Sequence, residues 1–253
     1  MTDHPFFDGV QAMERATKAG PCEVPVRLYD AAVLGLVYRV APAAAEAAMG
    51  EHARLEPLVT MGKAMVQILV VHAREASVGA FRQLALAVHV RRRGTSPSKV
   101  RALLDPHRDA DQGYLPLGVA VSSEAMLAAC EAFWRLPAYL TDVQADFRPI
   151  GVRAEVPEEL ELIIGVPGTM KTPGPSIALI GGDDPVVRTT IQVDHRLVWG
   201  GGASACVRVL GDGAIAEASV RLDLEGTKPR YVWRSLDSRA LIPLGRPLDR
   251  GPD

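Results

Sequence analysis

Val24–Met49 reads VPVRLYDAAVLGLVYRVAPAAAEAAM, a β-branched run that gives way to an alanine-rich one. Within it Val33–Val40 (VLGLVYRV) has the length and residue types of a strand. Ala41–His52 (APAAAEAAMGEH) reads as a helix whose proline takes the first turn, where a missing N–H is tolerated. Working outward, Met65–His72, Gln83–Val90 and Leu115–Val121 are further strand-length runs. Leu160–Val166, Ile177–Ile180, Val187–Val193, Ser204–Val209 and Ala218–Leu224 continue them, separated by the turn signals GGDD, GGG and GDG. Two more helices are expected, Ser123–Arg135 with Ser123 as its cap and Phe6–Lys18 near the start. Many short strands and few helices predict one α+β, mostly β domain over residues 1–253 with a barrel or sandwich core. Residues 1–20 read as a helical N-terminal segment, Arg91–Gly113 as a charged surface excursion, and 246–253 as a flexible tail.

Composition narrows the function. The chain has 253 residues, 48% of them hydrophobic, and 28 basic against 30 acidic side chains. A net charge of −2 supplies no general field for nucleic acid or an anionic membrane. No run approaches the ~18 apolar residues of a membrane span, and Met1–Gly20 lacks a signal-peptide core. Cys22, Cys130 and Cys206 are odd in number and widely spaced, which argues for reduced thiols in the cytoplasm and against a disulfide framework or zinc site. The six histidines lack metal-ligand spacing, so no metal is expected. Gly200–Gly202 lacks the Lys-Ser/Thr continuation of a phosphate loop, and there is no Gly-x-Ser-x-Gly elbow. Only five of the 28 basic residues are lysines: Lys18, Lys63, Lys99, Lys171 and Lys228.

Three stretches, in order, resemble the acetoacetate decarboxylase superfamily: Val24–Met49, the pair MVQILVVHARE…GAFRQLALAV, and EAFWRLPAYLTDV (Glu131–Val143). The closing VRLDLEGTKP…IPLGRPL is similar to the family's last strand and loop. The resemblance implies an open β-barrel or cone of antiparallel strands with a few flanking helices, enclosing an apolar pocket and assembling as a homo-oligomer. It also implies a lysine that forms a Schiff base with a β-keto acid, its amine kept neutral by burial and a second cation. No cofactor is implied.

At the position of that lysine the sequence has Ala138, and Tyr139 stands where the neighbouring cation would be. A methyl group cannot form an imine. The same alignment puts Ala31 at the substrate-binding arginine, and Gln67 and Gln83 at the two pocket glutamates. Each exchange removes a charge, and an uncharged pocket is easier to desolvate. Glutamine preserves shape and hydrogen-bonding capacity, so the set reads as a change of task rather than decay.

Strand alternation places Lys63, Met65, Gln67, Leu69 and Val71 on one face, and Gln83, Ala85, Ala87 and His89 on one face of the next strand. Gln67, Gln83, His89 and Tyr139 are therefore the catalytic candidates, with Trp134, Ala138, Ala31 and Leu69 as substrate contacts. His89 fits an acid/base role and equally a packed rim histidine. Tyr139 could donate to a carbonyl or enolate oxygen, while Trp134 reads equally as packing. His195, in Asp194-His195-Arg196, is a further lone acid/base candidate. The first expectation is an enzyme without Schiff-base chemistry. It would be of lyase or cyclase type, acting on an apolar carbonyl compound in specialised, polyketide-like metabolism. A non-catalytic small-molecule carrier, and a decarboxylase using Lys63, are the alternatives.

Overall fold

The computed structural model describes residues 4–50, 52–95, 111–165, 170–173, 176–201 and 204–248. After a 3-10 turn at Pro5–Phe7 come strands β1 (Met13–Thr17), β2 (Gly20–Val24) and β3 (Val26–Val40), then helix α1 (Pro42–Met49). Strands β4 (Leu55–Pro57), β5 (Val59–Thr60), β6 (Lys63–Ala76), β7 (Phe81–Arg92) and β8 (Gln112–Val121) precede helix α2 (Glu124–Ala129). Next are β9 (Ala138–Leu140), β10 (Gln144–Arg148), β11 (Gly151–Val156), β12 (Leu160–Gly165), β13 (Met170–Pro173) and β14 (Ile177–Gly181). The chain ends with β15 (Val187–Gly201), β16 (Ala205–Val209), helix α3 (Ala214–Arg221), β17 (Tyr231–Ile242) and β18 (Arg246–Pro247).

Seven strands close a barrel in the order β7-β6-β3-β17-β15-β14-β8, with β8 returning to β7. The ladders are antiparallel except between β14 and β8, where Leu179 and Tyr114 pair in parallel, so the expected cone is closed and mixed. Closure removes the exposed edges that a long open sheet would leave. A second sheet, β10-β11-β12-β16, contributes to the core on the outer side of the barrel wall. Period-two alternation then divides the apolar residues into two cores. Leu34, Leu36, Val66, Ile68, Leu84 and Leu86 point outward, clustering with Leu162, Val207 and Ile215. Ala31, Val33, Val71, Ala85, Val119 and Trp233 point inward.

A register shift around Asp30 switches the parity of β3. Before it Val26 and Leu28 face inward; after it Ala31 and Val33 do. Such a bulge adds one residue to one strand and re-aims all that follow. Gly35 is opposite Trp233, whose indole occupies the space a Cβ at 35 would take. The missing side chain thus lets the ring lie flat on the strand.

Four local expectations are corrected. Phe6–Lys18 is the 3-10 turn plus β1, which pairs with β2 from Met13↔Val24 to Thr17↔Gly20. Strand pairing supplies the backbone partners that a short isolated helix cannot keep in water. Ala218–Leu224 continues α3 and its C-terminal cap rather than forming a strand. Its apolar residues Ile215, Ala218 and Leu222 recur at helical spacing, and all three are buried. The Ser123–Arg135 helix is α only to Ala129 and then widens to a π turn over Cys130–Trp134. In the expected tail, Arg246–Pro247 pairs with β15, while 249–253 lie outside the described residues, as does most of the Arg91–Gly113 excursion.

Candidate functional site

The barrel interior holds a chamber of about 100 Å³. An engineered cavity of roughly 150 Å³ accepts benzene, so this one suits a group of about that size or smaller. Its wall is mostly aliphatic and aromatic, including Leu28, Val33, Leu69, Ile191 and Trp233. Uncharged polar groups enter at Gln67, Gln83, Tyr114, His195 and Ser238, with Arg239 at the margin. No lysine is among its described lining residues.

Each polar group is there for a local reason. Gln67 and Gln83 are on adjacent strands at inward parity, among Leu69, Val71, Ala85 and Ala87. Trp134 arrives from the π turn, a widening often found at functional sites. Its indole N–H donates to the Pro243 carbonyl at 2.7 Å, which holds the ring against the chamber. His195 and Ser238 face each other across β15 and β17, with the imidazole Nδ1 3.5 Å from the Ser238 hydroxyl. The histidine is only 8% exposed. Burial lowers its pKa to about 4, against the opposing pull of Asp194, so the ring is neutral at physiological pH. Its Nε2 is buried without a hydrogen-bond partner. Burial pushes the Tyr114 phenol up to about 12, leaving it an un-ionised donor.

Immediately beyond His195 the barrel wall is interrupted. Between the pairs His195↔Ser238 and Val198↔Arg234 two residues of β15 stand against three of β17. A second, polar cavity of about 510 Å³ occupies this break, lined by Asp194, Arg196, Arg234 and Asp237 among others. His195 and Arg239 line both cavities, so the chamber and the break adjoin.

The sequence candidates divide. Ala31, Gln67, Leu69, Gln83 and Trp134 are brought together around the chamber. His89 is fully buried and stacks on Tyr114 at 4.8 Å, behind the ring that lines the wall. Ala138 packs against the inner core without lining the chamber. Tyr139 points the other way and packs into the outer core. Burial and the nearby Glu159 carboxylate raise its pKa. That carboxylate also accepts from the Ile215 N–H at the start of α3 at 3.2 Å. Lys63 is exposed at the turn joining β5 to β6. Ser238, Tyr114, Arg234 and Arg239 were not among the candidates. Tyr114 precedes an alternating run, but Ser238 and the two arginines sit at or beside a bulge, where alternation gives no signal.

No family model and no curated protein matches this sequence. Solved structures match its fold. The acetoacetate decarboxylase of Legionella pneumophila superposes with a TM-score of 0.65 at 12% identity, over 95% of this chain and 92% of that one. The enduracididine biosynthesis enzyme MppR, complexed with pyruvate, gives 0.60 at 12% identity over 97% and 95%. An acetoacetate decarboxylase-like enzyme from Sphingomonas wittichii RW1 gives 0.55 at 15% identity over 87% and 91%. The chain therefore has the acetoacetate decarboxylase-like fold.

Proposed function

We propose that this protein is an enzyme that acts on a small, apolar, carbonyl-containing molecule by acid–base chemistry, without a Schiff base. The observation that carries this reading is the buried, neutral His195, whose Nε2 has no protein partner at the wall of an otherwise apolar chamber. Burial weakens this base, so the proton it takes is one from a carbon flanked by two carbonyls, the most acidic carbon position in a di- or polyketone. The enolate oxygen that results needs donors, and the amides of Gln67 and Gln83 and the Tyr114 hydroxyl are the neutral donors on the same wall. An enolate held in a closed space attacks a second carbonyl of the same molecule, a cyclase reaction. Run in reverse, the same electron movement breaks a carbon–carbon bond, a lyase reaction. Enforced proximity alone supplies up to ~7–11 kcal/mol of such an intramolecular step.

Two structures of MppR support the carbonyl class, one holding pyruvate and one the condensation product of pyruvate and imidazole 4-carboxaldehyde. Specialised, polyketide-like metabolism in the cytoplasm and a homo-oligomeric assembly complete the proposal. The test is incubation of the purified protein with candidate di- and polyketones, followed by mass spectrometry. Product formation that falls at least about a hundredfold in His195→Asn is expected for loss of a general base. Undiminished turnover in that variant overturns the assignment, and binding without product makes the protein a carrier. Borohydride treatment with a keto acid should leave the protein mass unchanged, whereas a reduced adduct on any lysine would restore Schiff-base chemistry.

A further inference from the structure

The chain has three tryptophans, and two of them give their indole N–H to the protein. Trp134 donates to the Pro243 carbonyl at 2.7 Å and Trp199 to the Thr172 hydroxyl at 2.8 Å. Trp233 is 5% exposed, yet its N–H has no acceptor among the described residues. A buried indole normally finds a partner, and an orphaned buried donor is costly. The ring lines the chamber, with Nε1 among the atoms that lie over Gly35. An indole N–H is in the plane of its ring. Because the ring lies flat on the strand, the hydrogen runs along the inner face of the wall and not into it. Trp199, the direct partner of Trp233 across β15 and β17, packs beside it with ring centres 6.2 Å apart. The His195 imidazole meets the same ring edge to face, also at 6.2 Å. Two neighbouring rings of the chamber wall therefore each carry a polar nitrogen without a protein partner, Nε2 of His195 and Nε1 of Trp233.

We propose that Trp233 is a catalytic residue whose indole N–H donates to the substrate carbonyl oxygen next to the carbon that His195 deprotonates. This rests on the chamber being a site of acid–base chemistry and adds the donor that meets the oxygen. As the proton passes to Nε2, the C–H electron pair forms a C=C bond and the carbonyl π pair moves onto the oxygen. The charge that appears there meets an N–H already in place. In such a compound the oxygen and the acidic hydrogen are on adjacent carbons, so base and donor have to be neighbours, as these two rings are. An indole only donates and does not titrate, so it holds this role at any pH. Gln67 and Gln83 each carry an acceptor beside the donor and can turn either one to the ligand. Contact with Gly35 and Trp199 fixes the Trp233 ring, and a fixed donor is what stabilisation of a developing oxyanion requires.

Acetylacetone, a small β-diketone, is the probe, and 2,4-dimethylpentane, its hydrocarbon counterpart of the same shape, is the control. Nitrogen-15 labelling of the full chain gives one indole signal per tryptophan, and Trp233→Phe assigns that of Trp233 by its loss. Acetylacetone should move the Trp233 indole proton downfield, while those of Trp134 and Trp199, which keep their protein acceptors, stay near their positions. The hydrocarbon should produce no downfield shift. Replacing the indole of Trp233 alone by benzothiophene keeps the shape of the ring and removes the N–H. By calorimetry this should weaken acetylacetone about threefold to tenfold and leave the hydrocarbon's affinity unchanged, which also shows the altered protein to be folded. On a ketone that the protein turns over, the same replacement should lower kcat by about a hundredfold or more with little change in KM. Acetylacetone bound without a downfield shift at Trp233, the same shift with the hydrocarbon, or an affinity that survives the benzothiophene overturns the role of Trp233 and leaves that of His195 standing. Binding of the hydrocarbon without binding of acetylacetone overturns both.

Discussion

Acid should destabilise this protein in part through the imidazole of His195, and His195→Leu should remove that part of the sensitivity. An unfolded chain takes up a proton on this ring below its ordinary pKa of 6.5, whereas the folded protein resists until about 4. Stability from this group is therefore complete above pH 6.5 and is lost as pH falls towards 4. At 1.36 kcal/mol per pH unit, the gap between those values limits the loss to about 3 kcal/mol. Between pH 7.5 and 5.0 the same linkage gives a loss of about 2 kcal/mol. Urea unfolding followed by far-ultraviolet circular dichroism at the two pH values measures it. Leucine at 195 changes the absolute stability at both, so the readout is the difference between them. The unmodified protein should lose about 2 kcal/mol more than the variant over this interval. Equal losses in both proteins would refute the claim that His195 is buried neutral.

Three further outcomes test other parts of the structure. Gly35→Ala should cost about 1–3 kcal/mol by forcing the Trp233 ring off the strand, with a shift in tryptophan emission as the ring moves into the chamber. Glu159→Ala should cost about 1 kcal/mol, because α3 loses the carboxylate that accepts from its first turn; thermal unfolding detects this. Gln67→Leu and Gln83→Leu should lower turnover by about a hundredfold to a thousandfold, the range for removing one donor to a developing oxyanion. Stability should move by less than about 1.5 kcal/mol, so a large loss of stability would make them packing residues instead.

Two adjoining strands of the chamber wall were legible in the sequence because strand alternation is a local rule. Gln67 and Leu69, Gln83 and Ala85, each two apart, had to share a face whatever the barrel's closure, and one apolar interior then gathers them. The same rule explains the split at Ala138 and Tyr139. Neighbours in a strand point oppositely, so the alanine meets the inner core while the phenol reaches Glu159 outside. His89 had the right parity, but Tyr114, its direct cross-strand partner, stacks on it, and that ring stands between it and the chamber. Alternation has no term for depth along the barrel.

From the sequence alone came the mostly β composition, the resemblance and its exchanged residues, and the absence of a lysine after Pro137. Tertiary structure alone decided that the sheet closes and that His195 rather than His89 borders the chamber. These depend on register shifts at Asp30, between His195 and Val198, and between Ser235 and Ser238. A bulge is set by how two strands distant in sequence fit together. Periodicity within either strand cannot reveal where the count changes.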